Sequence, residues 1–122
     1  MIVVSDTSPL TSLLTIGQIE LLEKLFGSVV IPPAVADELR RRHQDWPPFI
    51  REVALSDRSS VARLSAKLHL GEAQAIVLAK ELRADALLID ELVGRTVAQR
   101  EGVPVVGLLG VCGQRATAWY QP

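Results

Sequence analysis

Short apolar runs alternate along the chain with longer segments in which apolar residues recur every three or four positions. The runs lie at residues 2–5, 28–31, 86–89 and 103–106, with a marginal one at 53–55. Runs of this length rich in Val and Ile are typical of buried strands, and the longer period is typical of helices. The alternation predicts an α/β fold, a three-layer α/β/α sandwich around a parallel sheet of four to five strands.

Gly, Pro and Ser residues predict where the helices begin and end. Ser8-Pro9 has the form of an N-cap followed by proline at the first helical position. Gly17 is expected to interrupt the helical segment that follows, and Gly27 to end it. Gly71 is expected to separate two later helices. The remaining predicted helices run from Pro33 to about Arg42, over residues 59–68, over 72–83 and over 92–100.

Two aspartates directly follow apolar runs. Asp6 closes the run that begins at Ile2, and Asp90 closes the run that ends at Ile89. In open parallel sheets, sites form in the crevice outside the carboxyl ends of the strands. Asp6 and Asp90 are therefore expected to share one site.

Two glutamates lie on or beside the apolar faces of predicted helices. At 100° per residue, Glu38 falls at the edge of an apolar stripe while its neighbour Asp37 points to solvent. Glu72 lies on the same face as Ala75, Ile76 and Ala79, opposite Gln74 and Glu81. Both glutamates are thus candidates for an inward-facing site.

Each of these acids also has an ordinary structural explanation. Asp6 and Asp90 could cap helices, Glu38 could be a solvated surface charge, and Glu72 could stabilise a helix dipole. Those explanations do not predict all four patterns together in one short domain. Buried carboxylates need compensation, and a divalent cation such as Mg²⁺ or Mn²⁺, which prefers oxygen ligands, supplies it.

Composition and charge exclude some classes of protein but do not identify the function. The chain has 122 residues, enough for one domain, and a formal net charge of −1. That balance argues against a high-affinity nucleic-acid coat but not against an enzyme that handles nucleic acid locally. One cysteine, Cys112, excludes an internal disulfide and is expected to be a small buried residue. No signal peptide or membrane span is visible, so a cytoplasmic protein is expected.

Two basic features have different interpretations. The run Arg40-Arg41-Arg42-His43 ends a predicted helix, where cations stabilise the dipole, and that structural role is favoured over nucleic-acid contact. Arg95 follows the Asp90 corner by about one turn and is the better candidate for a functional cation.

Four segments, at residues 4–10, 30–39, 70–76 and 88–95, together resemble the PIN-domain family of metal-dependent ribonucleases. They look most like the small prokaryotic members related to toxins of toxin–antitoxin pairs. The resemblance implies that Asp6, Glu38, Glu72 and Asp90 are catalytic, metal-binding acids. It adds Glu91 as a further metal ligand and Thr7 or Ser8 as support for the first carboxylate. The implied reaction is hydrolysis of RNA by water activated on Mg²⁺ or Mn²⁺. Members of the family commonly form homodimers and commonly bind a cognate antitoxin.

The chain is expected to form one PIN-like domain over residues 1–122, but it departs from the family pattern after about residue 110. Its end, residues 114–122, is shorter than the helical continuation the family usually has. An alternative function is therefore a catalytically weak or inactive PIN-like module that binds proteins. A phosphoacceptor signalling domain is disfavoured, because residues 103–110 contain no lysine and such a site leaves Glu38 and Glu72 unexplained.

Overall fold

Five parallel strands form the centre of the molecule in the computed structural model, which describes residues 1–108. The strands are β1 (Val3–Ser5), β2 (Val29–Ile31), β3 (Ile50–Glu52), β4 (Ala86–Leu88) and β5 (Val105–Val106). Their order across the sheet is β3-β2-β1-β4-β5. All strand pairs are parallel, with Val4 opposite Val30 on one side and Leu87 on the other.

Helices connect the strands and cover both faces of the sheet. They are α1 (Thr7–Thr15), α2 (Glu20–Phe26), α3 (Pro33–Arg42), α4 (Arg58–Leu64), α5 (Leu70–Leu82) and α6 (Leu92–Arg100). Alternate residues of one strand face opposite layers, since Val3 packs with α1, α2 and α3 while Val4 packs with α4 and α5. The predicted three-layer α/β sandwich with a parallel sheet is confirmed.

The chain changes direction across the sheet between β1 and β4. It first builds outward from β1 through β2 to β3, and then returns to place β4 and β5 on the other side of β1. Such a switch point opens a crevice at the carboxyl ends of the two central strands. Asp6 follows β1 directly and Asp90 follows β4 by two residues, so both come after strands whose carboxyl ends border this crevice.

Several predicted boundaries agree with the structure. Gly17 lies between α1 and α2 with φ of 72°, and Gly27 follows α2 with φ of 81°. These left-handed conformations favour glycine. Pro33 is the first residue of α3, as expected of a proline after an extended residue.

Three local predictions are wrong. The third strand is Ile50–Glu52 rather than residues 53–55. It is an edge strand in which only Ile50 is buried, and its two charged residues do not form the apolar run that predicts a buried strand. Ser8 does not cap α1, which begins at Thr7 with Asp6 in the capping position. Gly71 does not separate two helices but lies buried in the first turn of α5.

No helix in the described part of the chain is both long and apolar enough to cross a bilayer. The predictions for residues 109–122, including the burial of Cys112 and the short terminal segment, lie outside the described residues.

Candidate active site

Asp6 is one of two nearly buried acids at the crevice. The β1–β4 ladder extends one residue to reach it, because the Asp6 N–H donates to the Leu88 carbonyl oxygen at 2.9 Å. Its side chain is only 6% exposed, and it makes no capping hydrogen bond to α1. Burial raises the pKa of Asp6 to about 7, a nearby Thr7 N–H opposes this rise, and the charges of Glu72, Glu38 and Glu91 add to it.

Glu72 faces the same space from the start of α5. Its Oε1 accepts a hydrogen bond from the His69 N–H at 3.1 Å, so one oxygen has the capping role expected of a first-turn glutamate. The residue is nevertheless only 5% exposed. Burial raises the pKa of Glu72, the His69 N–H opposes the rise, and Glu91 adds to it through its charge and a hydrogen bond. Capping therefore accounts for one oxygen and leaves Oε2 facing α6.

Glu38 reaches the site from α3 and is half-buried, whereas Asp37 is exposed, as the helical-wheel argument predicted. Helix α3 packs on α5, and the Ala34 N–H at its start donates to Gln74 Oε1 at 2.9 Å. This contact fixes the start of α3 against α5. The Glu38 carboxylate then lies directly over Gly71.

Asp90 and Glu91 are both exposed and face different groups. Asp90 Oδ1 accepts a hydrogen bond from the Leu108 N–H at 2.6 Å, which ties it to the chain after β5. Glu91 instead contributes to the charge around Asp6 and Glu72. Arg95 is partly buried, and its guanidinium flanks Gly107 together with the Asp90 carboxylate.

Three glycines leave room for these carboxylates. A Cβ at Gly71 would collide with Glu38 Oε1, and one at Gly94 would lie 3.2 Å from Glu72 Oε2 and 2.6 Å from Ile89 Cδ1. A Cβ at Gly107 would lie 3.4 Å from Asp90 Oδ1. From the sequence, Gly71 was expected only to break a helix, and no site role was expected for Gly94 or Gly107. The available signal was a glycine directly before the inward-facing Glu72.

Hydroxyl groups line the α1 side of the crevice. The Oγ1 atoms of Thr7 and Thr11 are buried and have no hydrogen-bond partner within the described residues. They are four residues apart on α1 and therefore share a face. Ser8 is exposed and lines the same cleft, which has a volume of about 170 Å³. Thr11 was not identified from the sequence, although its spacing from Thr7 was visible there.

The structure thus gathers Asp6, Glu38, Glu72 and Glu91 at one edge of the sheet, while Asp90 and Arg95 lie beside β5. Within residues 1–108, no three Asp, Glu, His or Cys side chains surround one point closely enough to hold a cation. Mg²⁺ does not require such a cage, because it is usually held by one or two carboxylates and keeps several waters. The raised pKa of Asp6, the unpartnered Thr7 hydroxyl and the space beside the glycines fit a cation site of that kind.

Comparison with known proteins decides the family. A family model described as a PIN domain (DUF3368) matches residues 2–117. The chain belongs to the PIN-domain family. The predicted family is therefore confirmed, and PIN domains are generally metal-dependent nucleases, which indicates a nuclease fold and nucleic-acid binding.

A solved structure supports the fold of this PIN domain. It is a PilT N-terminus domain protein, SSO1118, from the hyperthermophilic archaeon Sulfolobus solfataricus. The two chains superpose with a TM-score of 0.76 at 18% identity, over 97% of this chain and 96% of that one. At this identity the likeness concerns the fold alone. Among curated proteins, none matches the sequence.

Proposed function

We propose that this PIN domain is a metal-dependent endoribonuclease that hydrolyses RNA phosphodiester bonds at the carboxyl edge of its sheet. The observation that carries the proposal is Asp6, a nearly buried carboxylate whose pKa is raised by burial and by the charges of three other acids. Burying such a group in a cluster of like charge destabilises the fold unless a bound ligand compensates the negative charge. A divalent cation is the ligand whose charge suits it.

In this proposal Asp6, Glu72, Glu38 and Glu91 hold Mg²⁺ or Mn²⁺, directly or through water, and Asp90 completes the site from the β4 side. A bound divalent cation supplies a more acidic water and neutralises charge on the attacked phosphate. Thr7 supports the Asp6 carboxylate through its backbone N–H. Its buried hydroxyl has no partner in the described chain and is available to a water on the metal. Arg95 lies beside Gly107 at the rim, where its cation would attract the phosphate.

The finer biological role is also part of the proposal. The resemblance to toxin-related members supports a toxin of a toxin–antitoxin pair, acting as a homodimer and controlled by an antitoxin. Leu92 and Val93, next to the acidic edge, are 77% and 48% exposed, and burial against a protein partner would remove this apolar surface from water.

The direct test is cleavage of a mixed-sequence single-stranded RNA with and without Mn²⁺. The wild-type chain is expected to cleave only with the metal. Asp6→Asn and Glu38→Gln are each expected to reduce the rate by more than about 100-fold, which exceeds the loss typical of substituting a residue that only hydrogen-bonds to a metal ligand. Asp37→Asn is the matched control, because it removes one charge from the exposed position next to Glu38 on the same helix.

Cleavage that survives both site substitutions, or that is equally fast in a chelator, would contradict the proposal. If wild-type protein binds a partner protein but leaves RNA intact under all metal conditions, the chain is an inactive PIN-like module. The hydrogen bond between Asp90 and the Leu108 N–H is the observation that favours this alternative, since it occupies an oxygen of a predicted ligand.

A further inference from the structure

The α1 face beside the acidic site carries a row of four hydroxyls, and two of them are buried without a partner in the described chain. Thr7, Ser8, Thr11 and Ser12 line one cleft with Glu38 and Arg42. The Oγ1 atoms of Thr7 and Thr11 are buried without a partner in the described chain, and Thr7 is only 7% exposed. Buried hydroxyls are normally hydrogen-bonded, so these two groups point to a ligand that completes them.

A second cleft continues from the first. It has a volume of about 360 Å³ and is lined by Glu38, Arg41, Arg42 and His69. Glu38 and Arg42 line both clefts, so together they form one groove from α1 across the end of α3 to the start of α5. Each cleft has room for several waters at about 30 Å³ per molecule, and thus for a sugar–phosphate unit in their place.

The three arginines at the end of α3 are not equivalent. Arg40 pairs with Asp37 at 2.9 Å and with Glu52 at 2.7 Å, and it lies 5.6 Å from the Trp46 ring centre. Arg41 and Arg42 are exposed and line the groove, and neither makes an ion pair within residues 1–108. Interaction with the helix dipole at the end of α3 is a sufficient structural role for all three arginines. It does not explain why Arg41 and Arg42 have no carboxylate partner while Arg40 has two.

We propose that this groove, defined by Thr11, Ser12, Arg41 and Arg42, holds the phosphate backbone of a single RNA strand as it enters the acidic site. The inference rests on the proposed ribonuclease function and adds its substrate-binding residues. Guanidinium groups bind phosphate oxygens in a bidentate manner, and hydroxyls donate to them. These contacts position the strand without reading its bases. Glu38 lines both clefts and belongs to the acid cluster, so a strand in the groove passes directly beside the proposed metal site.

Binding is measured by fluorescence anisotropy with a labelled single-stranded RNA in Mg²⁺ buffer, in an Asp6→Asn background that prevents cleavage. Arg41→Ala and Arg42→Ala are each expected to weaken binding about 3- to 10-fold. Each should also make the negative slope of log K against log salt shallower by about 0.7, because one phosphate is no longer neutralised by the protein. Arg100→Ala is the matched control, since Arg100 also lies in the last turn of a helix but outside the groove.

Thr11→Val separates ligand binding from folding. Valine has nearly the shape of threonine, and the hydroxyl it removes has no partner among the described residues. The melting temperature is therefore expected to stay equal or to rise, while RNA affinity falls by about 3-fold or more. A lower melting temperature with unchanged affinity would show that the hydroxyl has a structural role and would overturn its place in the groove.

Different results would contradict the proposed groove and the proposed nuclease function. If wild-type protein cleaves RNA but the Arg41 and Arg42 variants bind like Arg100→Ala, the groove is wrong and the function stands. If no RNA is cleaved but binding depends on Arg41, Arg42 and the Thr11 hydroxyl, the groove stands and the nuclease function is wrong.

Discussion

Asp6 makes the stability of the folded chain depend on pH. Its pKa is about 7 in the fold and 3.8 for an ordinary aspartate, because burial and then the neighbouring acids disfavour its charge. Between these two values the folded state holds a proton that the unfolded state has lost. The free energy of unfolding therefore falls as pH rises from about 4 to about 7, and it is constant above that range with respect to this group.

We expect Asp6→Asn to remove this dependence. At pH 8 in a chelator, the variant should be more stable than wild type by up to about 4 kcal/mol, the upper bound set by a shift of this size. At pH 4 the two should be nearly equal. Urea unfolding at both pH values measures the difference, and Asp45→Asn, at an exposed loop position, is the control. Equal pH slopes for wild type and Asp6→Asn would show that Asp6 ionises without cost.

At the residue scale, the sequence indicates the acids but not all of their surroundings. Asp6 and Glu72 were expected at the crevice because of their place after a strand and on an apolar helix face, and both are buried there. The hydrogen bond between Asp90 and Leu108 was not predictable, because it depends on how the chain after β5 folds back to β4. Thr11 and Gly107 become relevant only when α1 and the end of β5 are placed beside the acids.

At the scale of elements, the start of α5 combines two requirements that oppose each other. A glycine within a helix costs up to about 1 kcal/mol relative to alanine. Gly71 is nevertheless in the first turn of α5, because a Cβ there would meet the Glu38 carboxylate presented by α3. The contact between α3 and α5 thus depends on a residue that weakens one of them.

We therefore expect Gly71→Ala to change function more than stability. The free energy of unfolding should change by no more than about 1 kcal/mol, because the obstructing atom is the end of a side chain that can move and the helix gains propensity. Metal-dependent cleavage should fall by about 10-fold or more, since Glu38 is displaced.

A double-mutant cycle with Glu38→Ala isolates this contact. Once the carboxylate is removed, Gly71→Ala should become more stabilising than it is in the wild-type background. The same change in unfolding free energy in both backgrounds would mean that Glu38 does not require a glycine at this position.

The strand boundaries show that the sequence pattern locates buried strands but not the edge strand. Strands β1, β2 and β4 were predicted within a residue or two, because buried strands are apolar on both faces. Strand β3 was misplaced by three residues, since Arg51 and Glu52 are exposed at the sheet edge and pairing with β2 alone makes them a strand. Only the partner strand supplies that information.

At the scale of the whole molecule, the strand order explains why acids far apart in sequence meet. The return of the chain from β3 to β4 places β4 against β1, so the corners after both strands lie at one crevice. Helices α3 and α5 then bring Glu38 and Glu72 to the same edge. The pattern of strands and helices predicted the layers and the edge, but it did not contain the distances among the carboxylates, which depend on how α3, α5 and the chain after β5 pack.

Binding of a divalent cation by this edge is the central claim, and a crystal of the wild-type chain soaked in Mn²⁺ tests it most directly. We predict anomalous density at the acidic edge with an oxygen of Asp6 or Glu72 at a distance of about 2.1 Å, close to that of Mg²⁺. The remaining ligands would be other acids of the cluster and water. Absence of density there at saturating Mn²⁺, or density only at acids away from the crevice, would contradict the account.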